Sequence, residues 1–110
     1  MIQLTAQMLR ERLKLEILSE GDPDRTVTGG YAGDLLSWVM SGAQSGDMWV
    51  TIMTNINVIA VATLVDVACV IIADGAQIDN SVIERAKMER VNLYRTQKSV
   101  YQVCNEQLFL

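Results

Sequence analysis

Three groups of residues in this chain have the types and spacing for binding chemistry. The first is Asp24-Arg25 followed by Thr28-Gly29-Gly30. An arginine presents a planar fork of donors that grips a carboxylate or phosphate through two bonds at once. A threonine hydroxyl adds a donor and an acceptor, and glycines let a ligand approach bare backbone. The same residues also have a purely structural reading, in which the aspartate caps the loop, Arg25 pairs locally with an acid, and a Gly-Gly turn uses φ > 0. The second group is Thr51, Thr54, Asn55 and Asn57, where an apolar strand pattern gives way to a helical one. Helix N-termini at the carboxyl edge of a parallel sheet bind anions and polar ligands, but an N-cap and a sheet edge need the same residue types. The third is Asp74-Gly75 after the longest apolar strand pattern, with Thr96 and Ser99 after the next one. These share an edge if the sheet is parallel, although turn and capping roles account for each one singly.

What is missing narrows the chemistry further. The 110 residues include no histidine, the side chain most used as general base and metal ligand, so Ser-His-Asp and Cys-His arrangements are excluded. No glycine precedes a lysine, so the phosphate-loop signature is absent, and no G-x-G-x-x-G occurs. Cys69 and Cys104 are too far apart for a Cys-x-x-Cys pair and are expected to act as small hydrophobes rather than as a disulfide or a zinc site. No cofactor and no metal are expected. The net charge of -4 and the scattered basic residues argue against a nucleic-acid backbone as partner. A small anion held by one arginine and backbone amides stays compatible.

The elements that must position these residues follow from periodicity. Thr5 caps a helix whose Ala6, Leu9 and Leu13 share a face. A short strand at Leu15–Leu18 and a polar loop through Gly21 and Pro23 follow. Gly29, Gly30 and Gly33 are too frequent for an ordinary strand interior. Asp34 is placed as the N-cap of a helix with Leu35, Leu36, Val39 and Met40 on one face, and Met48–Met53 as a strand. The helix Ile56–Leu64 is apolar nearly all round, so it is expected to be buried on more than one side. Ala68–Ala73 is a continuous apolar run, the pattern of a central parallel strand. A helix capped by Asp79 or Ser81, a strand at Val91–Tyr94, and a helix from Ser99 with Val100, Cys104 and Leu108 on one face complete the chain. Alternating strands and helices define an α/β class with a mainly parallel sheet, organised as a single domain over 1–110.

Asn57 and Asp66 interrupt the apolar stretch Ile56–Ala73, and a spanning helix needs about 20 mostly apolar residues, so no membrane is expected. Met1–Leu15 lacks the pattern of a signal peptide, which makes the cytoplasm the expected compartment. The apolar helix Ile56–Leu64 and Trp38 together leave surface that a homodimer would cover.

The stretch Asp24-Arg25-Thr26-Val27-Thr28-Gly29-Gly30-Tyr31-Ala32-Gly33-Asp34-Leu35-Leu36-Ser37 resembles the DRTGG domain family. The likeness continues through Gly46–Thr51, Asn57–Ala62 and Val70–Gly75. The chain departs from many relatives in lacking a histidine near Thr54 or Asn55. The resemblance implies a fold akin to the N-terminal domains of HPr kinase/phosphorylase and of some Mur ligases, which are accessory to a separate catalytic domain. It implies a regulatory, ligand-sensing or interaction domain with no catalysis of its own, linked to hydrogenase, redox or acetyl-phosphate metabolism and to a partner enzyme. A small anionic or nucleotide-like ligand is expected where Asp24, Arg25, Thr28, Gly29, Gly30, Thr54, Asn55, Asp74 and Gly75 converge. The alternatives are a small phosphotransferase or a structural adaptor on a larger enzyme.

Overall fold

The computed structural model describes residues 3–106 and 108. In chain order the elements are α1 (Ala6–Leu13), β1 (Glu16–Ser19), β2 (Gly29–Ala32), α2 (Leu36–Gly42), β3 (Asp47–Thr51), α3 (Asn57–Val65), β4 (Cys69–Ile72), α4 (Asn80–Met88), β5 (Leu93–Arg95) and α5 (Val100–Cys104). The five strands form one sheet in the order β1-β5-β4-β3-β2. Strands β2 to β5 are parallel, and β1 joins β5 antiparallel. The α/β, mainly parallel architecture is the one the alternation of patterns requires.

The two middle strands explain the layering. Every residue of β3 and β4 is buried, so both faces of the sheet need cover. Side chains alternate across a strand. Met48, Val50, Cys69, Ile71 and Tyr94 therefore pack with Leu9 and Leu13 of α1 and Val103 of α5. Trp49, Val70, Ile72 and Leu93 pack with residues of α2, α3 and α4 on the other face. The parallel crossovers each step one strand in the same direction, which brings α2, α3 and α4 to one side of the sheet. The parallel part of the sheet therefore has no point where strand order reverses.

Helix ends follow local chemistry. Thr5 Oγ1 accepts from Met8 N–H at 3.2 Å, as the sequence predicts. Ser99 and Gln102 form a reciprocal capping box on α5. Asp66 ends α3 in the left-handed conformation, φ 68°. Asp34 does not cap α2, whose N-cap is Leu35. Its Oδ1 instead accepts from Thr51 Oγ1 at 2.8 Å and Ile52 N–H at 3.0 Å. The carboxylate satisfies two donors at the end of β3, more than one cap bond would supply. Cys104 does not join the apolar face of α5: Val103 and Leu108 are buried, and Cys104 is exposed.

The structure also overturns the Gly-Gly turn. Gly29 and Gly30 lie inside strand β2, opposite Asp47 and Met48 of β3. The glycines with positive φ are Gly46 (87°) and Gly75 (60°). What Gly29 supplies is space, since a Cβ there would sit 2.8 Å from Asp47 Oδ1. That carboxylate is buried and its Oδ2 accepts from Gln44 N–H at 2.8 Å, so the glycine makes room for a working turn. At Gly30 a Cβ would meet the flexible Met48 side chain, with Cγ at 3.3 Å. At Gly46 the backbone is left-handed and a Cβ would lie 2.5 Å from Thr28 Oγ1.

These differences separate the glycines by experiment. Gly30→Ala is expected to change stability by less than about 1 kcal/mol, because the edge-strand backbone suits alanine and Met48 can adjust. Gly46→Ala is expected to cost more than about 1 kcal/mol. Urea midpoints of the two variants test the assignment, and a reversed order contradicts it.

Candidate functional site

In the parallel sheet the first residue of β2 pairs with the first of β3, Gly29 with Asp47. Thr28, Gly29 and Gly30 thus lie at the amino end of the strands. Thr54-Asn55 and Asp74-Gly75 follow the carboxyl ends of β3 and β4. The expected convergence of all nine residues does not occur: the sheet separates them into two sets, about 13 Å apart for a four-residue strand.

At the amino end, Arg25 is a clamp. Its Nη1 donates to Asp66 Oδ1 at 2.9 Å, and its Nη2 to Asp66 Oδ2 at 3.0 Å and to Asp66 O at 2.9 Å. Ser45 Oγ donates to Asp66 Oδ2 at 2.6 Å and accepts from Arg25 Nη2 at 3.3 Å. One guanidinium thereby ties the loop before β2 to the turn before β3 and to the end of α3, where a cation also complements the helix dipole. The acid is not local, lying 41 residues away. The hydrogen bond from Arg25, helped by Ser45, holds the Asp66 carboxyl below its usual range, and the same bond raises Arg25.

The neighbouring residues are similarly committed. Asp22, not Asp24, turns the loop, its Oδ1 accepting from Asp24 N–H at 3.1 Å. The carbonyls of Pro23 and Arg25 accept from Gln7 and Ala6 N–H, at 3.0 and 2.9 Å. Those bonds satisfy the orphan donors at the start of α1. A cleft of about 120 Å³ remains between Arg25, Asp66, Arg90 and Asn92. Buried Asn92 closes its floor, donating to the carbonyls of Asp22 and Ala68 at 2.7 and 2.9 Å and accepting from Asp22 N–H at 3.0 Å. Asp66 and Ser45 escape sequence reasoning because each sits in an ordinary-looking turn, and Asn92 because it lies in the apolar pattern Val91–Tyr94 that reads as a strand.

At the carboxyl end, Asn55 and Gly75 also serve the backbone. Asn55 Oδ1 accepts from Asn57 N–H at 2.9 Å, in place of a cap on Ile56. Gly75 N–H donates to Thr96 O, and Asp74 N–H to Lys98 O, both at 2.8 Å. A Cβ on Gly75 would collide with the Gln97 side chain. The Asp74 side chain is exposed and that of Thr54 half-buried. The cations near this end are paired, Arg95 with Glu16 at 2.9 Å and Lys98 with Glu106 at 3.6 Å.

Neither thiol is primed as a nucleophile. Burial pushes Cys69 up to about 12, and partial desolvation raises the exposed Cys104. Buried Tyr94 is raised by burial and by its 2.6 Å bond to Glu20, which also holds Arg10 at 2.9 Å. This group fastens β1 and α1 to β5. Among the described residues no group of three or more His, Cys, Asp or Glu is placed to hold a metal ion. No helix of the described residues is long and apolar enough to cross a membrane.

Two open grooves flank α3, contrary to its expected burial on more than one side. Val58, Ile59, Val61 and Ala62 are buried, while Ile56, Ala60 and Leu64 are exposed along its outer crest. A groove of about 340 Å³ lies on the α2 side, between Met40 and Leu64, and one of about 500 Å³ on the α4 side, rimmed by Arg85 and Glu89.

The structure is similar to the CBS and DRTGG domain region of the Clostridium perfringens pyrophosphatase, determined with its activator diadenosine tetraphosphate. The TM-score is 0.69 at 14% identity, over 87% of this chain and 42% of that one. The chain therefore spans less than half the length of that region, and the likeness is one of fold. No protein-family model and no curated protein matches the sequence.

The clamp has a pH signature. Because the folded state depresses the Asp66 pKa, its contribution is present above the ordinary carboxylate range and is lost as pH falls through the folded value. Asp66→Asn is expected to cost up to about 1 kcal/mol at pH 7, limited by solvent screening. In urea titrations the gap between wild type and variant should close at acid pH. Arg25→Lys should show a similar loss, since an ammonium cannot reproduce the two-pronged bond.

Proposed function

We propose that this chain is a regulatory, ligand-sensing domain that acts by binding and has no catalysis of its own. The observation that carries this reading is the match of its backbone to a regulatory region determined with an activator nucleotide. The side chains support it: Cys69 is buried with its thiol pushed up to about 12, and the guanidinium of the Asp-Arg pair is engaged with Asp66.

The ligand seat is the carboxyl end of the sheet, at Thr54, Asn55, Asp74 and Gly75. The amino-end residues Asp24, Arg25, Thr28, Gly29 and Gly30 shape the fold that presents it. The electrostatics of the seat select its chemistry. Asp74 and Asp79 flank it, and Arg95 and Lys98 are engaged with Glu16 and Glu106. A bare phosphate would meet acid there, whereas a ribose diol can donate to a strand-end carboxylate. The ligand is thus nucleotide-like and held through its nucleoside part. The DRTGG resemblance extends the proposal to a partner enzyme in a redox or acetyl-phosphate system, which the domain would tune as the ligand fills and leaves the seat.

Thermal unfolding with AMP, ATP, diadenosine tetraphosphate and inorganic phosphate tests the seat. At about 100 times Kd a ligand adds about 2.7 kcal/mol, enough for a shift of several degrees. An adenine nucleotide is expected to give that shift, inorganic phosphate none, and Asp74→Asn is expected to remove it. A panel in which no nucleotide moves the transition would end the reading.

A further inference from the structure

One exposed amide at the carboxyl edge of the sheet has its backbone anchored by the fold and its polar atoms left open. The turn after β4 has positive φ at two successive residues, Asp74 (58°) and Gly75 (60°), and Ala76 N–H donates to Ala73 O at 3.2 Å. Asp-Gly is a preferred pair where both central residues of a turn need positive φ. The two inner amides of this turn reach the next strand end, Asp74 N–H to Lys98 O and Gly75 N–H to Thr96 O, both at 2.8 Å. The segment they bind is fixed in return. Thr96 N–H donates to Ile72 O at 2.9 Å, and Thr96 Oγ1 accepts from Lys98 N–H at 3.2 Å. Gln97 is the middle residue of that anchored segment. Backbone conformation alone does not account for the glycine beside it. Lys14, Asp66, Asp74 and Arg90 adopt φ of 56–68° with side chains in place. What Gly75 adds is room: Gln97 Cδ and Nε2 lie 2.7 Å from the point a Cβ would occupy, and Oε1 lies closer. The Gln97 amide therefore lies across bare backbone next to Asp74. Among the described residues its Oε1 and Nε2 make no hydrogen bond. One acceptor and two donors are thus presented together at the strand ends.

We infer that Gln97 reads the base of a nucleotide held at Thr54, Asn55, Asp74 and Gly75. The inference rests on the nucleotide reading of that seat and adds the group that recognises the adenine ring. An adenine edge offers an amine donor beside a ring-nitrogen acceptor. A glutamine amide answers both at once, Oε1 accepting from the 6-amino group and Nε2 donating to the ring nitrogen. The placement suits a nucleoside. Asp74, the carboxylate offered to the ribose diol, and the Gln97 amide meet at Gly75, as ribose and base adjoin in the ligand. The charged neighbours do not compete for the base, since Arg95 is held by Glu16 and Lys98 by Glu106. A side chain on anchored backbone also loses less freedom when a ligand engages it.

Titration calorimetry with AMP and with purine riboside 5′-monophosphate, which lacks only the 6-amino group, tests the assignment. The intact chain is expected to bind AMP about fivefold more tightly than the analogue, the effect of one hydrogen bond. Gln97→Ala is expected to bind AMP about tenfold more weakly, the effect of losing a two-bond contact, and to prefer neither ligand. Asp74→Asn is expected to weaken both ligands equally, because they share the ribose. The ligand-free thermal transition should stay in place for Gln97→Ala, whose side chain is exposed and unbonded. An intact chain that binds the two ligands equally, or a Gln97→Ala variant that keeps the preference, overturns the role of Gln97 and leaves the seat standing. Failure of both ligands to bind the intact chain overturns the seat and the base reader together.

Discussion

Burial of β3 and β4 on both faces is the constraint from which the rest of the structure follows. Nine strand residues without one exposed position form a slab that must be covered above and below. The chain meets this need unequally. Three helices from the parallel crossovers cover one face, and α1 and α5, from the two ends of the chain, cover the other. The buried slab also determines which polar groups must be tied off. Trp49 can lie in the middle of β3 only because its indole N–H reaches Gly33 O at 2.9 Å. Asn92 can lie beneath the amino ends because its donors and acceptor are matched by backbone.

The apolar runs made most of this architecture legible. Val70-Ile71-Ile72 reads as a central strand, and the alternation of strand and helix as a mainly parallel winding. The antiparallel placement of β1 was not legible, because pairing direction depends on where the chain returns and not on its local pattern. Asp34 was misplaced for a related reason. A cap is judged from neighbours in sequence, and the stronger bonds came from Thr51 and Ile52, 17 and 18 residues away. Cys104 was assigned to an apolar face by a spacing of four, but α5 is only five residues long and buries Val103 instead.

The glycine motif shows how a site can be recognised and still be misread. Two of its residues, Arg25 and Gly29, do have specific roles in the fold. Those roles concern their neighbours. Arg25 binds three partner groups at a helix end, and Gly29 yields its side-chain volume to Asp47. Sequence pattern marks such positions by their unusual residue types. It cannot distinguish a glycine that admits a ligand from one that admits a carboxylate of the same chain. Periodicity likewise marked α3 as apolar and as leaving some surface uncovered, without saying which of its residues form that surface.

The pairing of β1 with β5 has a consequence for how the chain acquires its shape. Strands β2 to β5 are neighbours in sequence as well as in space, so each ladder closes over a short, local excursion. Glu16 meets Arg95 across 79 residues. Loop-closure entropy makes such a distant contact slow to form when nothing has ordered the intervening chain. The topology therefore favours closure of the parallel ribbon before the amino-terminal hook of α1 and β1, which is held by the Arg10–Glu20–Tyr94 contact. That hook also seals the β5 edge of the sheet.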